Sequence, residues 1–76
     1  MNTRQELERE AFRLSSEARF LMAKVRETRL LAHLGRIRVR EHLEVVLQSQ
    51  QVEAELQAVR SALRLASYQI QVHLSA

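Results

Sequence analysis

Apolar residues in the second half of the chain recur at alternating steps of four and three. The line begins at Val45 and continues through Ser49, Val52, Leu56, Val59, Leu63, Ala66 and Ile70. No charged residue falls on it. A sustained step of 3.5 residues keeps one side of a helix facing a neighbouring helix. We therefore predict a helix with a coiled-coil-like packing face, the second seam, which is covered either by another helix of this chain or by a second protein.

The first half of the chain carries a similar line, which we call the first seam. Its members are Leu7, Ala11, Leu14, Ala18, Leu21, Val25, Thr28 and Ala32. Gly35 lies between the two seams, and it is the only glycine in a chain that has no proline. Glycine readily adopts the positive φ that ends many helices. The pattern predicts an all-α, antiparallel two-helix hairpin with its bend near Gly35.

We predict a single domain over residues 1–76, with a helix over about 4–34, a connection over about 35–39 and a helix over about 40–73. One continuous helix is the alternative, in which Gly35 would cost about 1 kcal/mol. Two seams of similar length on either side of Gly35 favour the hairpin. Residues 68–74 alternate with period two, so this tail is either extended or, as we prefer, continued helix.

The first helix holds more large apolar residues than one seam uses. Phe20, Met22 and the pair Leu30-Leu31 lie beside the first seam or on other sides of the helix. Fully burying one such side chain is worth about 1.5–3 kcal/mol, so exposed clusters of this kind predict a partner surface. The residues that we predict to bind a partner are Val52, Leu56, Val59, Leu63, Ile70, Phe20 and Leu31.

The net charge of +3 is concentrated in the middle of the chain. Residues 24–40 hold six basic side chains against Glu27, whereas residues 1–23 are balanced and residues 41–76 carry two excess carboxylates. A basic segment can bind nucleic-acid phosphates, but no aromatic residue is interleaved with these arginines to stack on bases. A solvated tip or an acidic protein partner is the preferred interpretation, and nucleic-acid binding is less favoured.

Nothing in the composition points to catalysis. Without cysteine there is no disulfide framework and no thiolate metal site. His33, His42 and His73 lack ligand-type neighbours at helical spacing, and there is no glycine-rich phosphate loop. We expect a protein that is not an enzyme and needs no cofactor or metal. The charged start of the chain and the short apolar runs predict a cytoplasmic location without membrane insertion.

Several short sequence features match one known group of small helical proteins. They are Leu7-Glu8 near the start, Glu17-Ala18 in the first helix, Arg26 and Arg29 towards its end, and Gln48, Gln50 and Gln51 in the second helix. In order and spacing the chain resembles the co-chaperones of type III secretion needle subunits, the YscE/SsaE-like family. The resemblance spans most of the chain, although this family has a more obvious polar linker between its helices than the single Gly35 seen here.

The resemblance implies a cytoplasmic hairpin that binds a helical-repeat chaperone and helps to keep the secretion needle subunit soluble before export. A self-associating helical bundle with a structural or scaffolding role is the alternative, since two long seams would also support a homo-oligomer when the protein is alone. A basic nucleic-acid-binding hairpin is the third and least favoured hypothesis.

Overall fold

The computed structural model describes residues 3–75, and it describes the side chains of residues 3–68. Two helices occupy this range: α1 is Thr3–His33 and α2 is Val39–Ser75. They pack side by side in a rod of 62 × 16 × 14 Å, with no strand among the described residues. The predicted all-α hairpin is confirmed, and one continuous helix is excluded. The helix also continues through the tail, as preferred over an extended segment.

The bend is made by a glycine at the end of α1. Gly35 has a φ of +73°, a value that side chains with a Cβ rarely adopt. Its N–H donates to the carbonyl of Ala32 at 3.1 Å, and the N–H of Arg36 donates to the carbonyl of Leu31 at 2.8 Å. These two bonds form a Schellman motif, which satisfies carbonyls that the end of a helix leaves without partners. Backbone conformation, and not lack of space, selects glycine here, since a Cβ would meet nothing within 4 Å.

The two seams form the core. The buried residues of α1 all belong to the first seam: Leu14, Ala18, Leu21, Val25 and Thr28. Among the described side chains of α2, the buried ones are Val45, Ser49, Val52 and Leu56, all from the second seam. A central cluster unites Leu14, Ala18 and Leu21 with Val52 and Leu56 across the two helices. Each seam therefore covers the other.

Over the residues that the structure describes, neither helix is both long enough and apolar enough to cross a membrane.

Candidate partner-binding surfaces

The residues predicted to bind a partner fall into three environments. Val52 and Leu56 are only 8% and 6% exposed and lie in the central cluster. The side chains of Val59, Leu63 and Leu31 are half-buried, and Val59 packs against the central cluster. Phe20 is 67% exposed on the outside of α1. The side chain of Ile70 lies outside the part of the chain whose side chains are described.

The interior position of Val52 and Leu56 corrects the interpretation of the second seam as an open surface for a second protein. In the closed hairpin either side chain offers a partner only a few per cent of its surface, at the floor of a groove. The physical reason is that both seams have the same spacing and stand on either side of Gly35. Closing them on each other buries both without the entropic cost of bringing two molecules together.

Exposed apolar residues lie on the outward side of α1, where the charged Arg9 and Glu27 interrupt them, and we call this surface the α1 face. It is formed by Phe12, Phe20, Ala23, Leu30 and Leu34. At 3.6 residues per turn these positions span an arc of about 80°, opposite the first seam. Phe12 and Phe20 are 73% and 67% exposed. Phe20 is among the residues predicted to bind a partner and Phe12 is not, although a separation of eight residues places both on one side of a helix.

A second exposed surface lies on the outward side of α2. This α2 face is formed by Leu43, Leu47, Ala54, Ala58, Leu65 and Tyr68, all of which are exposed. No charged residue between Leu43 and Tyr68 falls within its arc of about 80°. Since each outward face lies opposite its own seam, the α1 and α2 faces point in opposite directions. One flat partner cannot cover both.

A groove of about 460 Å³ follows one edge of the rod between the two helices. It is lined by Ser15, Ala18, Arg19, Met22, Glu53, Leu56 and Arg60. Residues seven positions apart lie on the same side of a helix, so Arg26 and Arg29 extend this edge towards the bend. Arg64, one turn after Arg60, extends it in the other direction. We call this the basic edge, defined by Arg19, Arg26, Arg29, Arg60 and Arg64.

The opposite edge of the rod carries mostly carboxylates. Its groove is lined by Arg13, Glu17, Leu21, Gln48, Gln51, Val52 and Glu55. The same spacing of seven residues places Glu10, Glu41 and Glu44 along it. We call this the acidic edge, defined by Glu10, Glu17, Glu41, Glu44 and Glu55. The hairpin therefore carries more basic side chains along one edge and more carboxylates along the other.

Carboxylates of the acidic edge are already engaged by arginines of the same helix. Arg13 donates from Nε to Glu10 at 3.2 Å and from Nη1 to Glu17 at 3.3 Å. Arg40 Nε lies 3.8 Å from a carboxylate oxygen of Glu44. The hydrogen bonds from Arg13 lower the pKa of Glu10, and the same bonds raise the pKa of the Arg13 guanidinium, with smaller contributions from Glu17 and Glu55.

The arginines of the basic edge are different. Among the described residues, none of the five has a carboxylate oxygen within 4.0 Å. Arg19 donates instead to the carbonyl of Ser15 at 3.4 Å, and Arg64 donates to the hydroxyl of Ser61 at 3.2 Å. Five cations consequently project along one edge without a direct ion pair. The neighbouring carboxylates are Glu53, in the groove with Arg19 and Arg60, and Glu8, beside Arg64.

No group of three His, Asp or Glu side chains in the described part of the chain is arranged to hold a metal ion. Comparison with known proteins identifies no relationship: no family model matches, and neither a curated protein nor a solved structure is significantly similar.

Proposed function

We propose that this protein is a cytoplasmic co-chaperone that works by binding alone, without catalysis. Its α1 face docks on the concave surface of a helical-repeat chaperone, and the two together keep a type III secretion needle subunit soluble before export. The observation that carries the docking step is the exposure of Phe12 and Phe20 on one side of α1. The identity of the partners rests on the resemblance of the sequence to the YscE/SsaE-like family.

The part of the hairpin that the structure describes leaves these two rings uncovered. Turning the first seam inward places the α1 face on the far side of the same helix, beyond the reach of α2. Burying one large apolar side chain against a partner is worth about 1.5–3 kcal/mol. Aromatic side chains are common anchors of protein interfaces, and an apolar helix face that enters a groove is a recurrent mode of recognition.

The test is co-expression with a candidate helical-repeat chaperone and needle subunit. We expect Phe20→Glu to abolish co-purification, because it places a charge in the docking surface. The matched control is Leu47→Glu, which introduces the same charge at a side chain that is 63% exposed on the α2 face. Leu47→Glu should retain the complex, and both variants should keep the helical circular dichroism of the wild type. Leu56→Glu is unsuitable, since a buried charge would open the hairpin.

Equal loss of the complex in both variants would show that the α1 face is not the specific contact. Failure of the wild-type chain to form a complex with the chaperone, alone or with the needle subunit, would reject the co-chaperone function itself.

A self-associating bundle is the second candidate function, and the uncharged α2 face favours it. Two copies could pair along this face, with the small residues Ala54 and Ala58 allowing close approach of the helices. Sedimentation equilibrium would then detect an oligomer that Leu47→Glu dissociates and Phe20→Glu leaves intact. A monomer throughout the micromolar range would exclude this candidate.

A further inference from the structure

The basic edge offers two kinds of contact at once. Its five arginines have no carboxylate partner among the described residues, so their charge is available to another molecule. Between them the floor of the groove is apolar, formed by Ala18, Met22 and Leu56. Met22 is 43% exposed, and most of the accessible apolar surface of the floor is its side chain.

The basic edge has the length of a helix of ordinary size. Arg19, Arg26 and Arg29 lie along α1 towards the bend, and Arg60 and Arg64 lie along α2 towards the open end of the rod. Leu14 and Ala18 pack at the level of Leu56, which fixes how the two helices are aligned. With this alignment and a rise of 1.5 Å per residue, the basic edge spans roughly 30 Å from Arg64 to Arg29. A helix of about 20 residues matches that length.

We propose that the basic edge docks an acidic amphipathic helix of a partner protein, which lies along the groove as the third helix of a bundle. Its apolar stripe covers Ala18 and Met22, and its flanking carboxylates pair with the arginines on either side. Pairing of opposite charges across an interface accelerates association and fixes the register of the partner. This contact is separate from the α1 face and does not depend on the proposed co-chaperone function.

Two other occupants fit the edge less well. A nucleic-acid backbone would pair with the arginines but has no apolar stripe to cover the exposed side chain of Met22 at the floor of the groove. A second copy of this chain would have to offer its acidic edge. There Glu10 and Glu17 are already bound to Arg13, and Glu44 lies beside Arg40.

The test uses a labelled synthetic peptide of about 20 residues, with leucines at alternating four- and three-residue steps and glutamates on both flanks. We expect fluorescence anisotropy to show saturable binding to the full chain. The double variant Arg19→Glu/Arg60→Glu should weaken it by about tenfold or more. Arg26→Glu/Arg29→Glu, nearer the bend, should act in the same direction. All four side chains are exposed, and circular dichroism confirms that each variant is folded.

The control is Arg9→Glu, which reverses one charge at an exposed arginine on the outward side of α1, against two charges in each double variant. It should alter peptide affinity by less than about twofold, because exposed charges farther apart than the Debye length are screened. Phe20→Glu should also leave peptide binding intact, which separates this contact from the co-chaperone interface.

Four results would overturn the proposal. The first is no binding of the peptide, and the second is equal binding of a peptide with the same residues in shuffled order, which would leave generic attraction of charges. The third is tighter binding of a DNA duplex of matching length at the same ionic strength, provided that only the basic-edge variants lose this DNA binding. The fourth is a wild-type dimer that Arg19→Glu/Arg60→Glu dissociates, which would make a second copy the occupant.

Discussion

The seam between the two helices differs between its middle and its end near the bend. In the middle, Leu14 and Leu21 of α1 meet Val52 and Leu56 of α2 in a wholly apolar cluster. Near the bend a polar pair crosses the seam, since Thr28 Oγ1 lies 2.8 Å from Nδ1 of His42. Apolar burial is non-directional and grows with area, whereas a hydrogen bond requires particular partners at a particular distance. We therefore expect the middle to supply most of the stability, and the polar pair near the bend to fix which residues pair.

The polar pair also has a defined direction. The Thr28 hydroxyl donates its single proton to the carbonyl of Val25 at 3.2 Å. It must then accept from His42, which requires hydrogen on Nδ1 of the imidazole. The bond links residues 14 positions apart on opposite sides of the bend, so it forms only when the hairpin closes in this register.

The largest effect is expected from shortening a side chain in the middle of the seam. Leu14 is 1% exposed, and Leu14→Ala should lower the free energy of unfolding by about 2–5 kcal/mol, because it removes buried apolar surface and leaves a cavity. Urea denaturation followed by circular dichroism measures the change. The control is Phe12→Ala on the exposed side of the same helix, which should stay within about 0.5 kcal/mol of the wild type. Similar losses in both variants would refute the assignment of stability to the middle of the seam.

A smaller effect is expected near the bend. Thr28→Val preserves the shape of the side chain but removes the bond with His42, and it should cost about 1 kcal/mol, the usual net value of one hydrogen bond. A double-mutant cycle with His42→Ala isolates the interaction between the two side chains. Additive losses, with no coupling between them, would mean that this bond does not help to fix the pairing.

The smallest effect on stability is expected at the exposed ion pair of Arg13 and Glu10, which lies outside the seam. The hydrogen bonds from Arg13 lower the pKa of Glu10. The contribution of these bonds to the stability of the fold is therefore present above the ordinary pKa of glutamate and is lost as the pH falls through the lowered pKa. Arg13→Ala should return the pKa of Glu10 towards its ordinary value without a measurable change in stability at neutral pH. Carboxyl NMR titration measures this. Arg9→Ala, as control, should leave the pKa of Glu10 low, and an unchanged pKa in Arg13→Ala would contradict the assigned cause.

Residue spacing predicted the hairpin well because helical periodicity is a local property. Every buried side chain in the described part of the chain belongs to one of the two seams chosen from the four-and-three pattern, and Gly35 adopts the positive φ expected of the bend. The surplus of apolar residues was also predicted in kind, since Phe20 and Met22 are exposed. Leu56 was predicted to bind a partner, yet it is buried inside the hairpin. A spacing pattern marks the side of a helix that is covered but does not identify what covers it.

The lateral separation of charge was beyond the reach of sequence reasoning. Totals along the chain placed the basic excess between residues 24 and 40, yet Arg60 and Arg64 belong to the same edge as Arg26 and Arg29. Which flank of α2 lies beside which flank of α1 depends on the rotation of the two helices when they pair. That rotation is set by packing of the seams and cannot be derived from either helix alone.

By itself the sequence determined that this chain forms two helices, where they bend and which side of each is covered, because periodicity, a lone glycine and the absence of proline act within a few residues of the backbone. Tertiary structure alone decided that the two seams cover each other, that the outward faces point apart and that Arg19 and Arg60 share one groove with Glu53. Those outcomes join residues far apart in the chain, and only the antiparallel packing of the helices brings them together.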